Sequence, residues 1–216
     1  MKKVSLILST VVMTAMVLSP CVTVAQDEVT IGKQIWMVEN LNVDKFRNGD
    51  PIPQAKTHEE WKKSGENKQP AWCYNENDPV NGEKYGKLYN WYAVNDSRGL
   101  APDGYHIPSD DEWTKLTDFL GGEKVAGTKM KSTDFWADYE GNSGNGTNES
   151  GFSGLPGGYR NYDGTFRNIG EDGDWWSPAE YGTDFAWYRG LYYDYGFVAR
   201  FNYFKRNGFS VRCLRD

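Results

Sequence analysis

The stretch FAWYRGLYYDYGFVARFNYFKRNGFSVRCL, residues 185–214, decides the fold class. Residues 185–191 and 197–201 are short runs rich in aromatic and aliphatic side chains, separated by Asp194-Tyr195-Gly196. That pattern predicts two strands joined by a turn. Asn207-Gly208 is a strong hairpin signal, because both residue types accept a positive φ. It precedes a last strand in which Phe209, Val211 and Cys213 alternate to one side, and alternation of this kind predicts a central strand with a buried face.

Upstream of this block the pattern is helical. Ser109 and Glu112 form a capping box, and Trp113, Leu116, Phe119 and Leu120 then line one face. Gly121-Gly122 ends that helix. Thr57 and Glu60 make a second capping box before a short polar helix. Residues 85–95 place Leu88, Trp91 and Tyr92 at helical spacing, which predicts a third helix with an aromatic stripe. Before these, residues 29–31 and 34–38 read as two short strands around Gly32-Lys33. Helices first and antiparallel strands last define an α+β domain. No Pro-rich or Ser-rich linker and no fixed repeat divides residues 26–216, so a single domain is expected.

Residues 1–25 have a basic start (Lys2, Lys3), an apolar run and Thr-Val-Ala before Gln26. This is the three-zone pattern of a secretory signal peptide with cleavage after Ala25, and it predicts export to the periplasm, the outer cell surface or the medium. Pro20 before Cys21 spoils the lipid-attachment alternative. No transmembrane segment is expected in the mature chain. The whole chain holds 24 basic and 30 acidic residues, a balance that argues against a nucleic-acid partner. Cys73 and Cys213 are the two cysteines left after cleavage. In an oxidising compartment they are expected to pair, the alternative being two buried thiols.

Aromatic residues are abundant, with 9 Trp, 14 Tyr and 10 Phe. They are concentrated: between Tyr159 and Phe209, 17 of 51 residues are aromatic. Rings beside Asp, Asn and Arg suit a sugar, whose apolar ring face covers an aromatic while polar neighbours take the hydroxyls. Tyr159, Arg160, Trp175, Trp176, Trp187, Tyr188 and Tyr192 are therefore the candidate ligand-binding residues. Because adjacent strand residues point to opposite faces, one of Trp175 and Trp176 is expected in the core and the other in a groove, unless the strand is covered on both sides.

Catalytic sets are sparse. His58 and His106 are the only imidazoles, and both read as structural or solvated, so no enzyme is expected. Paired carboxylates from the Gly-rich loops leave a glycan-acting enzyme as an alternative. A structural calcium could use Asn148 and Glu149, or Asp172 and Asp174, although Asx-turns account for the same residues. No other cofactor is expected.

The segments VTIGKQIWMVENLN (29–42), YGKLYNWYAV (85–94), PDGYHIPSDDEWTKLTDFLGG (102–122), GTNESGFSGLPGGYR (146–160), WWSPAE (175–180) and GFSVRCLRD (208–216) occur in order along the chain. Together they resemble the Fibrobacter succinogenes major paralogous domain family. The resemblance implies a bacterial exported or cell-surface protein with a C-type lectin-like or formylglycine-generating-enzyme-like fold, in which short helices flank small antiparallel sheets with long loops. The Glu-Pro-Asn or Gln-Pro-Asp and Trp-Asn-Asp signatures of calcium-dependent lectins are absent. The reactive cysteine pair and multiple histidines of enzymatic relatives are absent too. These readings converge on a non-catalytic binding or adhesion module whose partner is a polysaccharide or a cell-surface protein. A structural or assembly component with no small ligand is the alternative.

Overall fold

A computed structural model describes residues 27–216. The signal-peptide reading of residues 1–25, with Cys21, lies outside the described residues. Numbered in chain order, the helices are α1 (His58–Glu66), α2 (Pro79–Tyr85), α3 (Trp91–Val94), α4 (Asp110–Phe119) and α5 (Glu123–Met130). The strands form three sheets. The first contains β1 (Glu28–Ile31), β2 (Gln34–Met37), β12 (Leu214–Arg215) and β5 (Tyr105–His106), in that spatial order. The second runs β3 (Trp72–Cys73), β4 (Leu88–Asn90), β11 (Gly208–Phe209), β6 (Tyr159–Arg160) and β7 (Phe166–Arg167). The third is the longest in strand length, with β9 (Phe185–Tyr192) between β8 (Asp172–Tyr181) and β10 (Ala199–Phe204). All the ladders between named strands are antiparallel, and the class is α+β.

The C-terminal segment is central twice over. β11 lies between β4 and β6, and β12 lies between β2 and β5. Phe209, Val211 and Cys213 all enter one core cluster, as their alternation predicts. The expected Asn207-Gly208 hairpin is a correction: the chain turns around Lys205-Arg206, closed by the Asn207 N–H donating to the Phe204 carbonyl. Neither Asn207 nor Gly208 takes a positive φ, and Gly208, already in β11, opposes Asn90 and Arg160 rather than β10. The turn thus hands the chain from the third sheet to the second. Gly208 permits this crossing because a Cβ there would come within 2.7 Å of Trp61.

Both capping boxes form. Thr57 and Glu60 satisfy each other's backbone N–H groups, as do Ser109 and Glu112. Gly121 and Gly122 follow at φ of 105° and 95°. Phe119, expected on the buried face, is 65% exposed. It stands at the last position of α4 and lies over Gly32 in the β1–β2 turn, so its ring covers backbone rather than entering the core.

The aromatic helix expected over residues 85–95 is two elements, β4 followed by the single turn α3. Gly86, at φ 76°, ends α2, and Asn90 caps α3 by accepting from the Ala93 N–H. Leu88, Tyr89, Trp91 and Val94 are all buried. Of the expected stripe, Leu88 and Trp91 are core and Tyr92 is only half-buried, because strand pairing with β3 and β11 overrides the helical period.

The cysteines are a correction. Cys73 and Cys213 are both buried and free. Cys73 packs with Ala55, Trp61, Ala71 and Leu88, whereas Cys213 belongs to the separate cluster around Trp91 and Val211. Because β3 and β12 lie in different sheets, the fold sends the two thiols into different cores, and burial pushes each thiol up to about 12. Intact-mass analysis after alkylation is expected to show neither Cys73 nor Cys213 modified in the native state and both modified after denaturation. A cross-linked peptide joining them would contradict this arrangement.

Candidate functional site

The third sheet carries most of the candidate residues, and its register sorts them by face. Across β8 and β9, Asp172 opposes Tyr192, Asp174 opposes Gly190 and Trp176 opposes Tyr188. Across β9 and β10, Gly190 opposes Ala199, Tyr188 opposes Phe201 and Ala186 opposes Tyr203. Directly opposed residues in an antiparallel ladder share a face. One face therefore presents Asp172, Asp174, Tyr188, Tyr192 and Tyr203. Tyr159 of β6 joins them at the edge, where its ring packs edge-on to Phe209 at 5.8 Å.

Phe209 and Trp176 make the apolar floor of this group. Their rings are 4.3 Å apart, and Tyr188 and Tyr203 lie 4.8 and 6.2 Å from Phe209. Tyr159, Tyr192 and Tyr203 are half-buried, and Tyr159 and Tyr203 form the outer tier of this core cluster. The hydroxyls of Tyr188 and Tyr192 are 3.2 Å apart. Burial raises the pKa of Tyr159 to about 12 and those of Tyr188 and Tyr192 further, with Asp174 adding to all three shifts. These phenols are accordingly neutral, hydrogen-bonding groups at physiological pH.

Two carboxylates complete the face. Asp172 is half-buried and accepts a 2.7 Å hydrogen bond from Asn168. Burial lifts its pKa to about 6 against the opposing effect of that hydrogen bond, with Glu171 and Asp194 adding like charge. Asp174 is only 3% exposed, and its Oδ1 has no hydrogen-bond partner. Burial first, and Asp172 second, raise it well above the carboxylate range. Buried acids are ordinarily paired or bonded, so a vacant acceptor here marks the position out. Gly190 keeps the group together: a Cβ there would come within 2.6 Å of the Tyr192 hydroxyl and 3.0 Å of Asp174 Oδ1.

The remaining sequence candidates lie elsewhere. Trp175 and Trp176 are both 0% exposed, which corrects the expectation that one would face a groove. β8 is covered on both sides: Trp175 enters the cluster of Trp36, Trp113 and Phe152, and Trp176 the cluster of Tyr89 and Phe209. Each indole N–H is also committed, to Asn40 Oδ1 and to the Tyr89 carbonyl respectively. Arg160 is likewise fully buried, with its guanidinium committed to backbone carbonyls. It donates to the carbonyls of Ala55, Thr57 and Gly164, pinning the start of α1 to the β6–β7 turn. Trp187 is half-buried on the opposite face of the sheet, covered by Arg200 at 3.8 Å. On that face Arg189 and Arg200 both bind Asp110 at 2.6 Å and dock α4 onto the sheet.

The calcium candidates do not assemble. Asn148 spends its amide on Ser153, donating to Oγ and accepting from the backbone N–H, as an Asx-type loop does. Among the described residues no group of three or more His, Cys, Asp and Glu side chains is arranged to hold a metal ion. His106 bridges Asp216 at 2.8 Å and Glu112 at 3.1 Å. Burial works against its charge, but those two acids outweigh burial and hold its pKa above the usual value.

Sequence reasoning named Tyr159, Tyr188, Tyr192, Asp172 and Asp174 without placing them together, and it missed Tyr203 and Gly190. Gly190, an isolated glycine inside an aromatic strand, was the available signal, since such a glycine marks a close approach.

This chain belongs to the Fibrobacter succinogenes major domain family, whose model matches residues 29–215. No curated protein and no solved structure matches it. Among the described residues no helix is long and apolar enough to cross a membrane.

Proposed function

We propose that this chain is a non-catalytic, exported or cell-surface binding module that recognises carbohydrate on the Tyr159, Tyr188, Tyr192 and Tyr203 face of its third sheet. One observation carries the reading: Asp174 keeps a buried, unpartnered carboxylate oxygen on a face whose other side chains are mostly aromatic, the tyrosines together with Trp176 and the exposed Phe201. A sugar meets both needs at once, stacking its apolar side on a ring and offering hydroxyls to Asp174 and Asp172. The phenols, held neutral, donate or accept as the ligand demands. A C-type lectin-like arrangement is part of the proposal, supported by the meeting of the first hairpin and the last strand in one sheet. Export rests on the leader pattern of residues 1–25. The partner is then a polysaccharide or a glycosylated surface protein.

A glycan array and polysaccharide pull-down with residues 26–216 test this directly. Retention on a defined glycan is expected. An empty array together with tight binding to an unglycosylated protein would overturn the carbohydrate reading and favour the structural or assembly role, for which the burial of Trp175 and Trp176 already speaks.

A second reading, a glycan-acting enzyme, has one specific observation in its favour. Asp172 and Asp174 are same-face neighbours with unequal environments, separated by about 7 Å along the strand, and such pairs can divide acid and base roles. Release of reducing ends from a bound glycan, lost in Asp172→Asn, would establish it.

A further inference from the structure

We infer that β10 is a docking edge for a second copy of this chain, the two β10 strands pairing antiparallel about Asn202 so that two third sheets join into one. This pairing is independent of what the tyrosine face binds. The first and second sheets end in strands of four residues or fewer. In the third sheet the outer edge of β8 is already used. The Asp172 carbonyl accepts from the Gly158 N–H at 2.7 Å, the Asp174 carbonyl accepts from the Ser210 N–H at 3.0 Å, and the Trp176 N–H donates to the Ser210 carbonyl at 3.1 Å. The opposite edge is β10, six residues long, with β9 as its one strand neighbour among the described residues.

The register fixes which backbone groups of β10 are free. The Lys205 N–H donates to the Asp184 carbonyl at 2.9 Å. Hydrogen-bonded pairs alternate along an antiparallel ladder, so Ala199, Phe201 and Tyr203 also turn their backbone groups to β9. Arg200, Asn202 and Phe204 turn theirs outward. The Phe204 carbonyl takes the Asn207 N–H, whereas among the described residues Arg200 and Asn202 have no backbone partner for N–H or C=O. A row of this kind is a template for another strand. The usual obstacles are missing: residues 199–204 contain no Pro and no Lys, and their pairing with β9 has no bulge. The one charged side chain, Arg200, is drawn aside, binding Asp110 at 2.6 Å and lying 3.8 Å from the Trp187 ring centre.

The side chains select a second copy as the occupant. With the two-fold axis at Asn202, the 54% exposed Phe201 falls opposite the partner's Tyr203. That is a non-hydrogen-bonded position, where cross-strand side chains come closest and aromatic pairs stabilise most. Arg200 falls opposite the partner's Phe204, and Asn202 opposite the partner's Asn202, so no like charges meet. Moving the axis to Arg200 would oppose two arginines and set Phe201 against alanine. Moving it to Phe204 would run the pairing into the turn at Lys205-Arg206. Both tyrosine faces then lie on one side of the joined sheet, with their β9 strands about 14 Å apart, three strand spacings.

Sedimentation velocity of residues 26–216 over about 10–500 µM is expected to show a reversible monomer–dimer equilibrium, weak because the paired edge is a small interface. Asn202→Pro removes an N–H that points away from β9, a placement a strand tolerates at an edge. It is expected to leave the circular dichroism unchanged and weaken dimerisation at least tenfold. Asn202→Cys opposes its own copy at a hydrogen-bonded pair spacing of about 5.5 Å, within disulfide reach. Under mild oxidation it is expected to cross-link at least tenfold faster than Thr183→Cys, which sits in the exposed β8–β9 turn. A chain that stays monomeric throughout overturns the inference, also where an unrelated extended peptide takes the edge. Undiminished dimerisation in folded Asn202→Pro, or no preferential cross-link through Asn202→Cys, overturns it as well by placing the interface elsewhere.

Discussion

Arg212→Ala is expected to cost about 3–5 kcal/mol, enough to lower the melting temperature by roughly 6–20 °C in a domain of this size. Arg212 is completely buried. Its guanidinium donates from Nε and Nη2 to Asn40 Oδ1 at 3.0 and 2.8 Å, and from Nη1 to the carbonyls of Met37 and Phe152 at 3.1 and 2.6 Å. It also lies 4.4 Å from the centre of the Phe152 ring. Four separate chain segments meet there, because Asn40 in turn accepts from the Trp175 indole. Burial depresses the guanidinium's pKa, so the charge is held by these dipoles. Removing the side chain orphans two buried carbonyls and leaves a cavity beside Phe152, and both effects act in the same direction. Urea denaturation of the variant is the check, and a loss below 1 kcal/mol would show that the hub contributes little.

The opposite sign is expected at Asp174. Its carboxylate is desolvated and unpaired on one oxygen, so Asp174→Asn is expected to stabilise the unliganded fold by about 1–3 kcal/mol at pH 7.5. The pH dependence follows from the direction of the shifts. Asp172 and Asp174 both have folded-state values raised above their unfolded ones, mainly by burial. The stability these groups permit is therefore complete below about pH 4, where both states are protonated, and declines as pH rises through about 6 for Asp172 and higher for Asp174. Asparagine does not titrate, so the gain is expected at pH 7.5 and not at pH 4. Denaturation curves at the two pH values measure it. A less stable variant at pH 7.5 would mean that the carboxylate is structurally required. A side chain that weakens the fold while facing tyrosine hydroxyls is what a binding group sacrificed for function looks like.

The architecture was legible where short-range chemistry dominates. Thr57 with Glu60 and Ser109 with Glu112 cap helices by contacts three residues apart, and Gly32, Gly121 and Gly122 accept a φ that other residues resist. Phe209, Val211 and Cys213 revealed a core strand through alternation alone. What escaped was long-range. Trp175 and Trp176 alternate as any strand pair does, and only the docking of α4 on one side and of β4 with β11 on the other buries both. Arg160 has the composition of a ligand contact, but its three acceptors include two carbonyls more than 100 residues away in sequence. The site was half legible for the same reason: residue types pointed to tyrosines and acids, while the β9–β10 register, which brings Tyr203 beside Tyr188 and puts Trp187 behind them, is a tertiary fact.

The central claim is that one face of the third sheet binds ligand and the other does not, and paired substitutions on the two faces measure it. With the tightest glycan from the array as probe, Tyr192→Ala and Tyr203→Ala are expected to weaken binding at least tenfold each. Trp187→Ala, on the Arg200 side, is expected to change it less than twofold, with circular dichroism confirming that all three variants are folded. Full affinity in the tyrosine variants, or a tenfold loss in Trp187→Ala alone, would contradict the account.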